Sequence, residues 1–182
     1  MSERMCEEHF LKNMASSLAG DLERAASKGF GPISSGECAQ LRRMPANSVP
    51  PPGFWKLLLR YVPEDWNRPE NERAWRAVLQ GMAIMALSGP VHDPERSLGA
   101  ALGELFEAES SQQRFWRLLE ARDEIFFDLL RQNIRMLART GKGVDWTGII
   151  FLCLTRDKQK RLAACRKQAM DFYAAQARKE GE

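Results

Sequence analysis

Apolar residues recur along this chain at steps of three and four, and breakers cut the pattern into helix-sized pieces. In a first segment, over about residues 5–28, Leu11, Met14, Leu18, Leu22 and Ala25 share one face, and Gly29 with the Gly31-Pro32 pair ends it. A short helix over about 36–44 stops at Pro45. Pro50, Pro51 and Pro52 follow in succession, removing donors and turning each preceding residue away from the helical region, so Pro45–Gly53 reads as a stiff connector. Phe54–Tyr61 is a short apolar helix ended by Val62-Pro63. From Glu70 onward Trp75, Val78, Leu79, Met82, Met85 and Ala86 make a wide apolar stripe, closed by Gly89-Pro90.

The second half continues in the same way. Ser97 is placed to cap a helix running to about Ala108, and Ser110 or Ser111 the next, with Phe115, Leu118 and Leu119 inward. Asp123 is expected to cap a long helix to Thr140 that carries Phe126, Leu130, Ile134 and Leu137, with Gly141 as its stop. Asp145 precedes Trp146–Leu154, which is apolar nearly all round and so belongs inside. Thr155 is the expected cap of the last helix, with Leu162, Cys165, Ala169, Phe172 and Gln176 along one side. No stretch alternates with period two over more than a few residues, and Val and Ile are scarce. The predicted fold class is therefore all-α, a compact bundle of about eight or nine helices. It forms one domain over 1–182, with subdomains 1–108 and 109–182 as the alternative division. Trp75, Phe115, Phe126, Leu130, Trp146, Leu162 and Phe172 are the expected core.

Composition agrees with a folded globular chain: 182 residues, 44% hydrophobic and 28% charged, can bury a core without staples. No run approaches the ~18 apolar residues of a membrane span. The first ten residues, MSERMCEEHF, carry acids where a signal peptide needs a basic flank, so a cytoplasmic protein with no membrane partner is expected. Cys6, Cys38, Cys153 and Cys165 form no CxxC pair and read as small core residues.

The parts of an enzyme are missing. His9 and His92 are the two histidines, and neither has a partner at metal-ligand spacing. There is no phosphate-binding GxxxxGK[ST], no GxGxxG after a strand and no GxSxG. The carboxylate pairs Glu64-Asp65, Glu104/Glu107 and Asp123/Glu124 sit at helix starts or on mixed-charge faces, where acids serve capping or solvation. No catalysis, cofactor or metal is expected.

Charge distribution says more than net charge, which is only +3. Residues 131–182 hold twelve Lys/Arg and five acids, a stretch of +7, while the rest of the chain carries −4. Arg131 and Arg135 are four apart and share a helical face. Arg156, Lys158, Lys160, Arg161, Arg166 and Lys167 load the last helix and its start, and Arg42-Arg43 sits just before the connector. Any one of these taken singly reads as a solvated face. As a set they could grip phosphates in a sequence-independent, salt-sensitive way. The candidates for nucleic-acid binding are Arg42, Arg43, Arg131, Arg135, Lys158, Lys160 and Arg161. Of Arg42 and Arg43, about 100° apart on a helix, Arg43 is the one expected outward if Leu41 and Met44 turn inward. Aromatics could stack on bases, but Trp75, Phe115 and Phe126 fall in apolar registers, and Trp55 and Trp66 are left unassigned.

The segment Ser35-Gly36-Glu37-Cys38-Ala39-Gln40-Leu41-Arg42-Arg43-Met44, then Pro52-Gly53-Phe54-Trp55-Lys56-Leu57-Leu58, resembles the CasB family. That family is the small subunit of the type I-E CRISPR Cascade complex. Ser97-Leu98-Gly99 with Ala101-Leu102, Arg114-Phe115 with Leu118-Leu119, Leu130-Arg131, Val144-Asp145-Trp146 and Asp171-Phe172-Tyr173 continue the likeness in order over about 35–175. Ala100, Gln132 and Gln168 depart from it, Gln168 standing where many members have Trp. The resemblance implies a non-catalytic brace in an antiviral RNA-guided complex. Its partners would be guide RNA, the single-stranded DNA of the R-loop, other Cascade subunits and a second copy of itself placed head-to-tail. Arg42, Arg43 and Arg131 fall on basic positions of the family motifs; Arg135, Lys158, Lys160 and Arg161 rest on charge alone. The alternative reading is a structural protein–protein adaptor in a multi-subunit assembly, without nucleic-acid contact.

Overall fold

The structure is a computed structural model that describes residues 2–29, 31–105 and 109–180, with the side chains of 2–8, 109–111 and 180 outside that description. The described residues form nine α-helices: α1 (Ser2–Ser27), α2 (Ser35–Arg43), α3 (Pro52–Tyr61), α4 (Glu72–Met85), α5 (Leu98–Leu105), α6 (Glu109–Glu120), α7 (Asp123–Ala138), α8 (Trp146–Leu154) and α9 (Lys158–Glu180). A 3₁₀ turn, Pro69–Asn71, leads into α4. Among the described residues there is no strand; His92 and Val144 make one isolated parallel bridge. The class is all-α.

Caps explain several boundaries. Ser34 and Glu37 form a reciprocal capping box on α2 that the sequence reading passed over. Lys56, 2.7 Å from Glu37, holds that carboxyl below its ordinary range, with the Ser34 amide assisting. Ser97 accepts from the Ala100 amide, and Asp145 from those of Thr147 and Gly148, as expected. Two caps differ from expectation. Asp123 does not cap α7: the residue before the first helical one is Arg122, whose side chain offers no acceptor, and Asp123 itself has φ 48. Asp157 rather than Thr155 caps α9, accepting from Gln159 and Lys160 at 2.8 and 2.9 Å, while Thr155 ends α8. The Lys160 amide, then that of Gln159, hold the Asp157 carboxyl below its ordinary range. The side chains of Ser110, Ser111 and Cys6, and residues 106–108, which include Glu107, lie outside the described residues.

Buried side chains from α1 through α9 join in one connected cluster. Trp75, Phe115, Phe126, Leu130, Trp146 and Phe172 are in it, and Phe115 stacks on Phe172 with centroids 4.1 Å apart. Leu162 is not: it is 64% exposed, and Arg161 is buried in its place. The inward side of α9 is thus Arg161, Gln168, Phe172 and Ala175. Turned this way, Arg161 donates to the carbonyls of Leu152 and Ala121, as described below. α5 lies tightly on α9 because Gly99 and Gly103 have no side chains. A methyl at either would overlap the backbone carbonyl of Gln168 or Phe172. Gln168 also accepts from the Gly99 amide at 2.7 Å, so the departure from the family pattern is a buried contact to the start of α5.

The Pro-rich connector is fixed rather than loose. Prolines leave its carbonyls without ladder partners, and α4 supplies them. Arg76 donates to the carbonyls of Pro45, Ala46 and Ser48, and Gln80 to those of Arg42 and Met44. This clamps the basic end of α2 to α4, the helix that packs against α7.

Candidate nucleic-acid interface

At the end of α2, Leu41 and Met44 are buried and Arg43 is exposed, with no ion pair among the described residues. Arg42 is half-buried and its guanidinium lies 3.5 Å from the Cys38 thiol. Arg43 lines a shallow depression with Met44, Pro45 and Ser48. Just across the connector, Ala46 and Asn47 border a small groove that Arg73, Arg76 and Arg131 line from α4 and α7. Arg131 donates to Asp128 at 3.1 Å, and its Nε is buried without a partner. Arg135 is exposed one turn further along α7.

This small groove shares Arg73, Glu124 and Phe127 with a larger one of about 570 Å³ between the starts of α7 and α9. Arg73, Arg122, Arg156, Lys158 and Arg161 line the larger groove, against Glu70, Asp123 and Glu124. Arg73 and Glu124 are paired, so one cation and one carboxylate neutralise each other. Beyond Asn71 and Thr155 the surface continues to Lys160. Arg131, Lys158 and Lys160 therefore line a series of grooves that share residues, and Arg43 lies in a separate depression across the connector.

Arg161 is different. Its residue is 9% exposed, its guanidinium sits 4.7 Å over the Phe126 ring, and it donates to the carbonyls of Leu152 (2.8 Å) and Ala121 (3.0 Å). Burial, then the charge of Arg122, pull it below the ordinary guanidinium range. It ends in the floor of the groove, holding the α6–α7 and α8 ends together.

Sequence reasoning missed Arg73, Arg76 and Arg122 as groove residues. Arg73 and Arg76 are three apart on α4, off the Trp75–Val78 stripe, a spacing that could have flagged them; nothing in the sequence marks Arg122.

Three of the other candidate groups have structural partners. Glu104 pairs with Arg96 at 2.9 Å, Asp65 with Arg68 at 3.3 Å, and the Trp146 amide donates to His92 Nδ1 at 3.1 Å. Among the described residues no cluster of His, Cys, Asp or Glu has metal-holding geometry. Cys38, Cys153 and Cys165 are free thiols, and burial pushes Cys153 up to about 12 against the opposing pull of Arg161. No described helix is long and apolar enough to cross a membrane.

Residues 37–173, well over half the chain, match the sequence profile of the family described as CRISPR-associated protein Cse2. The chain belongs to that family. No curated sequence matches it. Among solved structures, CasB from Thermobifida fusca is similar with a TM-score of 0.64 at 14% identity, over 92% of this chain and 97% of that one. CasB from Thermus thermophilus has a TM-score of 0.60 at 25% identity, over 88% of this chain and 98% of that one. A chain of E. coli Cascade bound to a PAM-containing double-stranded DNA target has a TM-score of 0.60 at 20% identity, over 88% and 97%. The Cse2 match contains Arg42, Arg43, Arg131, Arg135 and the start of α9, but not α1, which lies outside the matched residues.

Proposed function

We propose that this chain is the small, non-catalytic subunit of a Cascade-type, CRISPR RNA-guided surveillance complex, and that it braces guide RNA and opened target DNA through the grooved basic surface. The observation that carries this reading is the run of linked grooves from Arg131 to Lys158 and Lys160, with Arg43 in a depression across the connector. Membership of the Cse2 family and likeness to a chain of DNA-bound E. coli Cascade support it. The phosphate contacts are assigned to Arg43, Arg131, Arg135, Lys158 and Lys160, with Arg42 contributing beside Cys38. Arg161 serves them from beneath, by fixing the groove floor. Sequence specificity then belongs to guide–target pairing. Opening the duplex is close to thermodynamic balance, so a few backbone contacts on an exposed strand decide its direction. A second copy placed head-to-tail makes a heterologous interface, which neighbouring subunits must terminate.

One observation favours the adaptor reading instead. Leu162, Met170 and Tyr173 stand exposed on the outer side of α9, and Trp116 donates to the Tyr173 hydroxyl. Such a face suits a protein partner. The two readings separate in a salt titration of the chain with a labelled single-stranded oligonucleotide, followed by fluorescence anisotropy. Affinity should fall linearly on a log–log plot, and the double variant Arg43→Ala, Arg131→Ala should shallow the slope by about 1.4, roughly 0.7 per lost phosphate contact. An unchanged slope with native folding would favour the adaptor.

A further inference from the structure

The last helix turns one side to the fold and leaves the other bare. Arg161, Gln168, Phe172 and Ala175 are buried on the inner side, where Gly99 and Gly103 bring α5 close. Opposite, Leu162 and Met170 are 64% and 65% exposed, and Tyr173 is exposed with them. At about 100° per residue, Leu162, Arg166, Met170, Tyr173 and Ala177 fall within about 80° of one another, along roughly 22 Å of helix. Trp116 on α6 widens this strip: it is exposed, and its indole N–H donates to the Tyr173 hydroxyl at 2.9 Å. Charge on this side has one sign. The exposed charged side chains of α9 among the described residues are Lys158, Lys160, Arg166, Lys167, Arg178 and Lys179, with no acid. Arg117 and Glu120 on α6 offset each other. Arg166 sits in the middle of the strip, one turn from Leu162 and one from Met170, and has no ion pair among the described residues.

We infer that this strip docks a helix of a different protein subunit, apolar along one side and carrying a carboxylate opposite Arg166. The inference rests on the reading of this chain as a subunit of an assembly, and not on its nucleic-acid contacts. An apolar strip of this length gains free energy when another apolar face covers it, as an amphipathic helix does. A phosphate strand would leave Leu162 and Met170 in water. Covering the strip takes Arg166 out of water as well, and a buried guanidinium needs a carboxylate. The described residues of a second copy do not supply that complement. Trp55 and Leu59, four apart on α3, are flanked by Arg60 and by Lys56, which already holds Glu37. Ile125 has Glu124 and Asp128 beside it but is the one large apolar side chain exposed on α7 among the described residues. Phe10, Val49 and Leu87 each stand alone on their segments in the same sense. Aromatic and Arg side chains, here Trp116, Tyr173 and Arg166, are the types that carry most of the binding energy at protein contacts.

The test is photocrosslinking in the reconstituted complex with Leu162→p-benzoylphenylalanine, and with Val49→p-benzoylphenylalanine, at a site 85% exposed, as the control. The expected result is a crosslink from the Leu162 variant, and not from the Val49 one, to one helix of another protein subunit, with Asp or Glu within a turn of the crosslinked residue. A crosslink to a second copy of this chain or to nucleic acid overturns the inference, as does the lack of any crosslink in an assembled complex. Independently, Arg166→Ala should speed dissociation of this chain from the immobilised complex about thirtyfold, the scale for losing one partner of a buried charge pair, and Arg166→Lys should restore much of the lifetime. An unchanged rate overturns the assignment of a carboxylate to Arg166. If the unsubstituted chain enters no complex, the underlying reading fails and this inference with it.

Discussion

Arg161 and Leu162 show how far one residue of helical phase can carry a side chain, since neighbours on a helix point about 100° apart. Replacing Arg161 by Met should keep the packing on Phe126 but leave the Leu152 carbonyl unpaired, at about 1–3 kcal/mol, and the Ala121 carbonyl with only the longer bond from Arg122. Leu162→Ala should change stability by no more than ~0.5 kcal/mol, as for other surface sites. Phe172→Ala, by contrast, should cost about 3–5 kcal/mol. Urea unfolding of the three variants checks the order; a large loss for Leu162→Ala would mean that α9 is turned the other way. Cys153 gives an independent probe of the groove floor. With its thiol pushed up to about 12, it holds almost no thiolate at pH 8 and should resist alkylation in the folded protein, becoming reactive only on unfolding. Apolar periodicity could not have found Arg161, because hydrophobicity scales place Arg outside and Leu inside. The deciding facts are the Leu152 and Ala121 carbonyls at helix ends, which Arg161 reaches only once α6, α8 and α9 meet.

At the scale of elements, most of the chain was legible. Capping residues with free oxygens, Ser97 and Asp145, start the helices where the sequence says, because the cap is a local interaction of three or four residues. Arg43, not Arg42, faces outward because Leu41 and Met44 fix the phase of α2. The α7 start was misread because Asp123 has the right chemistry for a cap and the wrong backbone, with φ 48, two residues after the Ala121 carbonyl that Arg161 binds from 40 positions away. The contact between α5 and α9 makes its own prediction. Gly99→Ala should push a methyl into the Gln168 carbonyl, which is backbone and cannot swing aside. Overpacking of this kind typically costs about 1–3 kcal/mol. Thermal unfolding should show a lowered midpoint, and an unchanged one would mean that the helices are further apart than described.

For the whole molecule, one connected core running through α1 to α9 predicts a single cooperative unfolding transition, coincident by circular dichroism and by tryptophan fluorescence. Two separable transitions would instead divide the chain near residue 108. Function at this scale was legible only in part. Charge counting found the basic α9 start and the pair Arg131/Arg135, but it could not show that α4, α7 and α9 bring Arg73, Arg131 and Lys158 onto linked grooves with Arg43 in a depression across the connector. That assembly depends on Arg76 and Gln80 clamping the connector to α4, a tertiary contact spanning 28–38 residues. The most direct measurement is R-loop formation by the reconstituted complex carrying Arg43→Ala and Arg131→Ala in this chain, at physiological salt. Opening of target DNA should be slowed or abolished while the complex assembles with its full set of subunits. Parental rates of opening, or failure of the complex to assemble, would contradict the assignment of these arginines to nucleic acid.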